Sequence, residues 1–286
     1  KEFDAKIGEI RKKIPVEEFL RVANEVAGQR SPTYLFYRGD HRQPKHEITP
    51  GGLTVTAPEG QRLAIEDDNP QLPTSGRRLA YAQWLTNGQH PLVARVLVNR
   101  IWLHHFGQGI VSTPDEFGKL GSLPTHPELL TWLAAYFMEN NWSLKQLHRL
   151  MVTSTAYRQS SDHLAEFDNI DGANSYYWRK SVQRLDAEII RDRILAVSGK
   201  LDATMLGNYS AVKMDDSGQV VVGDSHRRSV YVEVRRTQPA AVLQVFDAPV
   251  MTVNCSKRTI STDANQSLML MNSDFILNYA AAFAAR

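Results

Sequence analysis

Leu79, Ala82 and Leu85 fall on one side of a helical repeat in RRLAYAQWL. The segment after it is apolar at nearly every position around a helix: Leu92, Val93, Val96, Leu97, Val98, Ile101, Trp102, Leu103 and Phe106. A helix that is apolar all round is a buried one. The spacing therefore predicts a core helix that opens near Pro91 and stops at Gly107 and Gly109. THPELLTWLAAYF continues the pattern with Leu129, Leu130, Trp132, Leu133, Tyr136 and Phe137, and Thr125 and Glu128 have capping-box spacing. WSLKQLHRLMVTSTAYR repeats the device: Ser143 caps, Gln146 is its partner, and Trp142 is placed to staple onto Leu147. RLDAEIIRDRILAVSG has Ile190, Ile194, Val197 and Leu201 in step and ends at Gly199. Helical spacing resumes in PAAVLQVF and again after Asp263, whose third-position partner is Gln266.

Elsewhere the period changes. Ile7 to Val26 reads as a helix that Pro15 breaks or restarts. PTYLFYRGD and LTVTA (53–57) read as short strands, with RGDHRQPKHEITPGG as an exposed loop beside the first. Residues 59–76 read as a linker-like surface segment. GQVVVG and RSVYVEVRR alternate like strands, the second with Val230, Val232 and Val234 on one face. The predicted class is α+β, mostly helical: a helical core with a small antiparallel β element from 33–57 and 220–236. The chain is expected to be one domain, a fragment of a larger protein, since it begins at Lys1 without Met. Residues 1–76 form the lead-in, 77–200 the helical core, 201–237 a variable loop and β element, and 238–286 the C-terminal helices.

The polar residues of VNRIWLHHFG interrupt the apolar pattern. Arg95 and Asn99 stack at a spacing of four, as do Arg100 and His104. On a buried helix each guanidinium needs a partner. Asp115, Glu116, Glu128, Asp186, Glu188 and Asp192 are the candidate carboxylates. One reading is structural: Arg95 and Arg100 lock helices together, and truncating Arg100 costs several kcal/mol. The other is a polar pocket between 91–106 and 125–138, with His104 as acid, base or ligand and Arg100 as anion binder. Trp102, Trp132 or Tyr136 would then offer a flat face to a sugar.

Composition narrows the options. With 42% hydrophobic and 22% charged residues the chain is ordinarily globular, and a net charge of +2 gives no strong field for nucleic acid. No apolar run reaches the ~18 residues that span a bilayer. Cys255 is the only cysteine, so an internal disulfide, a Cys-x-x-Cys-His haem attachment and a cysteine zinc cluster are all excluded within this chain.

Other constellations are weaker. Asp40, His41, His46 and Glu47 share one polar loop and could ligate a divalent metal, but their spacing matches no metal template; no metal is expected. Arg38 and Asp40 are expected to pair with neighbours and hold the strand end. His126 stands at a helix start, where anions are favoured. Tyr157 and Arg158 lie in hydroxyl-rich TSTAYRQSS, which suits a sugar- or anion-facing surface. Glu128, Glu188 and Asp192 are possible glycoside-hydrolysis carboxylates, although Glu188, Arg191 and Asp192 also have intrahelical ion-pair spacing.

The stretch from RRLAYAQWLTNGQHPLVARVLVNRIWLHHFGQG through WSLKQLHRLMVTSTAYRQSS resembles a planctomycete-specific domain of unknown function. HRRSVYVEVRR, VLQVFDAPV and CSKRTISTDANQSLMLMNSDFI are similar to its C-terminal part, and YLFYRGDHRQPKHEITPG to the segment that leads into it. The likeness runs over most of Pro32 to Leu277 and is lower at 53–73 and 203–228. It implies a domain at the C-terminal end of a large exported protein, outside the cytoplasm, in the periplasm or at the cell surface. The implied partners are other domains of that parent, often including a cytochrome c-like module, and possible contact with polysaccharide. Any haem would belong elsewhere in the parent; no cofactor is expected within this chain. The leading expectation is an accessory or binding domain linked to polysaccharide use. The alternatives are a carbohydrate-active enzyme domain with its site around Arg100 and His104, and a cell-surface structural scaffold.

Overall fold

In a computed structural model, the described residues are 32–57, 62–250 and 255–286, together with Phe3, Ile7, Glu25 and Val26. The helix expected over Ile7 to Val26 lies outside them. The chain divides into two compact units, Lys1–Val93 and Ala94–Arg286. Ten α-helical segments and two separate two-stranded antiparallel sheets are present among the described residues, so the class is α+β and mostly helical. No helix among them is long and apolar enough to cross a membrane.

In the first unit, β1 (Tyr34–Phe36) pairs with β2 (Pro44–Glu47), with Tyr34 opposite Glu47 and an irregular register toward Phe36 and Pro44. Part of the expected loop is thus a strand. The turn between them is held by Asp40, whose carboxylate accepts from the main chain and guanidinium of Arg42 and from Gln43. Arg38 adopts a left-handed φ of 51° and lies over the Tyr37 ring. LTVTA is not a strand: Thr54–Thr56 forms a 3-10 turn, and the neighbouring bridge is Gly51 to Ala64. Helix α1 (Arg77–Thr86) buries Trp84, whose ring lies against Gly52 and edge-on to His90.

In the second unit, α2 (Val93–Phe106) buries Ala94, Val98, Asn99, Ile101, Trp102, Leu103 and Phe106. Gly107 ends it at a φ of 82°, which a residue with a Cβ adopts only under strain. The helix is not buried all round. Leu97, Arg100 and His104 form an exposed stripe at spacings of three and four. Helices α3 (Pro127–Glu139) and α4 (Leu144–Thr153) close over the inner face. Leu130, Leu133, Phe137, Leu147 and Met151 join Val98, Trp102, Phe106, Ile110 and Tyr177 in one cluster, with Trp142 packed against it.

Ser143 caps α4 through the Gln146 N–H, as its spacing predicts. The box expected at Thr125 does not form. Pro127 opens α3 with His126 at the cap position, and the Thr125 hydroxyl instead donates to the Ile110 carbonyl. Two short helices follow, α5 (Thr155–Arg158) and α6 (Ala165–Asp171), and then α7 (Ala187–Val197), which Gly199 terminates at a φ of 73°.

The second sheet sits in the segment expected to hold a variable loop and β element, and GQVVVG supplies one of its strands as read. β3 (Val212–Met214) pairs with β4 (Val220–Val222) in register Val212 to Val222, across a turn in which Asp215 accepts from the Ser217 and Gln219 N–H groups. RSVYVEVRR is not a strand. Ser229–Tyr231 is a 3-10 turn, Val232 is buried, and Val230 and Val234 are exposed. The pull comes from Arg191 on α7, fully buried, which donates to the carbonyls of Ser225 and Arg227 and to the Ser229 hydroxyl. Those bonds fold the segment onto the helix instead of into a ladder. Helices α8 (Ala241–Val245), α9 (Ala264–Asn272) and α10 (Asp274–Ala284) complete the chain, α9 capped by Asp263 through the Gln266 N–H.

Candidate functional site

Two adjoining clefts of about 680 and 420 Å³ open in the second unit and share Gln244, Ala248, Pro249, Val250, Cys255 and Arg258. Both volumes fall in the range that takes a small ligand. Three local features build them. Helix α7 starts at Ala187, which puts Glu188 in its first turn facing the cleft. The short helix α8 buries Val242 and stops at Phe246, and Asp247 follows at a left-handed φ of 64°. The chain after α2 returns through a turn that presents Asp115 and Glu116 to the larger cleft.

Ion pairs hold the walls. Arg258 grips Glu188 with two bonds, 2.5 and 3.2 Å, and Asp186 lies 3.9 Å away. That fork holds the Glu188 carboxyl below its ordinary range, although burial alone pushes it the other way. Asp247 accepts from the N–H and hydroxyl of Ser261, each at 2.8 Å, and pairs with Arg184. The Ser261 N–H is the leading cause of a pKa lowered to about 2. Arg184 also bonds Gln266, which is buried and donates to the Val245 and Ser261 carbonyls. Glu233 pairs with Arg235 at 3.0 Å and is likewise held low. Lys257 and Arg236 line the clefts, are exposed, and make no ion pair among the described residues.

The residues singled out from the sequence lie elsewhere. Arg100 is exposed, 3.6 Å from an exposed Asp115, so it does not lock a buried helix. His104 is exposed on the same stripe. Between α2 and α3 the structure places the apolar cluster of Trp102, Leu130, Leu133 and Phe137 where a polar pocket was expected. Trp102 is buried and stacked on Phe106 at 3.9 Å, leaving no face for a ligand, whereas Trp132 is exposed and stacks on Tyr136. Asn99 is fully buried and exchanges two bonds with Val111. Arg95 reaches Thr131 at 3.5 Å. Glu128 is exposed in the first turn of α3, and His126 bonds Thr125 at the helix start. Tyr157 is half-buried beneath Lys180, and Arg158 is exposed. Asp40 is taken up by its own turn, and His41, His46 and Glu47 are exposed around it. No group of three or more metal-ligating side chains occurs among the described residues. Glu188 does not form the expected intrahelical set with Arg191; it reaches Arg258 instead.

A family profile described as PSD1, protein of unknown function (DUF1553), matches residues 77–286. The chain belongs to this family. Neither the curated proteins nor the solved structures give a match. The two clefts of this PSD1 chain, and all the ion pairs that wall them, fall within the matched residues. Sequence reading missed Arg184, Asp247, Arg258 and Gln266 as a set. Asp247 and Arg258 are polar residues in the VLQVFDAPV and CSKRTIST segments, Arg184 precedes α7 and Gln266 is read only as a cap partner, with no periodicity to align the four.

Proposed function

We propose that this PSD1 chain is an accessory, ligand-binding domain and that the joined clefts are its binding site, with a glycan chain as the ligand class. One observation carries the reading. Glu188, Glu233 and Asp247, three carboxylates that wall the clefts, are ion-paired with arginines and held below their ordinary range. A glycosidic general acid needs the opposite, a carboxyl kept protonated near neutral pH. Such walls suit recognition: fixed acceptors, exposed Lys257 and Arg236 as free donors, and apolar strips from Ala248, Pro249 and Leu243. The placement in an exported multidomain protein, beside a cytochrome c-like module and in polysaccharide use, rests on the resemblance of this sequence to the planctomycete-type domain.

The test is a panel of plant, algal and bacterial polysaccharides read for both binding and newly formed reducing ends. Binding without product, weakened by Thr259→Trp at the exposed cleft lining, is the expected result. Product release would replace the binding role with an enzymatic one. Absence of binding across the panel would sink the glycan reading.

A further inference from the structure

Three elements bring basic side chains to one corner of the second unit, away from the clefts. His105 on α2 and His148 on α4 face each other with Nε2 and Nδ1 2.7 Å apart. Lys180, in the segment before α7, donates to the His105 carbonyl, and its Nζ lies 3.8 Å from the centre of the Tyr157 ring on α5. His104, next along α2, is exposed and adds its field at His105. Tyr157 also lies against His105, ring edge to ring face at 5.7 Å, and Phe106 lies under Lys180 on the apolar side. Among the described residues, none of the four basic groups pairs with a carboxylate.

The corner is short of negative charge. Burial first, then His148, Lys180 and His104, hold the His105 ring less basic than usual, and burial does the same to Lys180. A cation is a poor occupant. It would meet Lys180 as a like charge and would find the two imidazoles of His105 and His148 but no third ligand among the described residues. An anion supplies what is missing, and it restores the basicity that burial and repulsion take away. By linkage, an anion that raises these affinities for protons must bind with proton uptake.

We propose that the His105–His148–Lys180 corner is a binding site for an oxyanion group, of the sulfate or phosphate type, and that it binds more tightly as the pH falls. The site is independent of the clefts and of the glycan reading.

The whole chain is titrated calorimetrically with sodium sulfate and sodium phosphate at pH about 5.5 and about 8, on either side of the ordinary histidine range. Ionic strength is balanced with chloride, in two buffers of different ionisation heat. Dextran sulfate and neutral dextran form a second arm. The expected result is sulfate binding with proton uptake at the lower pH, roughly 10-fold weaker at the higher one. His148→Gln, at an exposed position, should weaken it by a similar factor with the melting temperature kept. Binding of free sulfate marks recognition of the isolated group, whereas binding of dextran sulfate alone marks a group presented on a polymer; either with proton uptake upholds the proposal. Binding without proton uptake, binding unchanged in His148→Gln, or no binding of either sulfate form overturns it.

Discussion

Glu188 and Arg258 stand seventy residues apart in the chain and meet in a two-pronged ion pair at the seam of the two clefts. The pair joins the first turn of α7 to the segment that follows Cys255. Because both side chains are about one-third exposed, it is neither a solvated surface pair nor a dry buried one. Its fork geometry matters more than its charge, since only a guanidinium offers two parallel donors to a carboxylate.

Arg258→Lys should therefore behave as a loss. It keeps the charge and removes one prong, and the expected cost is about 1 kcal/mol, between exposed and buried pairs. In a chain of this size that is a fall in melting temperature of about 2–4 °C. Glu188→Gln should cost a similar amount, and the double variant less than the sum, because the two act through one contact. Additive losses in a thermal-melt cycle would show that the pair is not coupled.

Neighbours on α2 should differ sharply. Asn99 is fully buried and satisfies both the N–H (2.8 Å) and the carbonyl (3.0 Å) of Val111. Asn99→Ala strands two buried main-chain groups, at about 1–3 kcal/mol for each unsatisfied group. Arg100→Ala, by contrast, removes an exposed pair and should stay within about 1 kcal/mol. Denaturant melts of the two variants rank them directly, and equal losses would contradict the burial assigned here.

The helices were legible because their signals are local. Ser143 and Asp263 cap where their spacing says, and Gly107 and Gly199 end α2 and α7. Local pattern failed where a distant side chain decides. Val230, Val232 and Val234 alternate like a strand, yet Arg191 bonds the preceding carbonyls and coils the segment. Arg100 looked buried because its neighbours are apolar, but Leu97 beside it is itself exposed. The cleft was not legible, because Glu188, Asp247 and Arg258 meet only through tertiary contacts. Nothing local in the sequence links His105 to His148 or Lys180.

Burial of the His105 ring, with His148 beside it, makes stability depend on pH in a stated direction. The folded state holds the His105 ring below its ordinary 6.5, chiefly by burial. In the window just below 6.5 the unfolded chain binds more protons than the folded one, so stability falls as the pH drops through it. Above the window this contribution is fully present. His105→Gln should flatten the melting temperature between about pH 7 and 5 relative to the parent chain. An unchanged slope would assign the effect to another group.

The wall of the larger cleft rests on one glycine. A Cβ on Gly121 would stand 1.8 Å from the Glu116 carbonyl oxygen, with the Thr113 hydroxyl at 3.1 Å. That approach is what closes the 113–122 turn: Thr113 donates to the Glu116 carbonyl, and the Ser122 N–H donates back to Thr113. The clash is with main chain and cannot be relieved by a rotamer change, so the turn itself must move. It carries Asp115 and Glu116, both of which line the cleft. Phe117, from the same turn, packs against the apolar cluster on α2, α3 and α4. Gly121→Ala should therefore open the turn, weaken ligand binding at the cleft and, through Phe117, lower the melting temperature. Gly118→Ala, where an added Cβ meets nothing within 4 Å, should leave both unchanged. Amide exchange over 113–122 reads the difference, with faster exchange in the first variant and parent-like rates in the second. Parent-like protection in Gly121→Ala would mean that the close approach does not hold the wall in place.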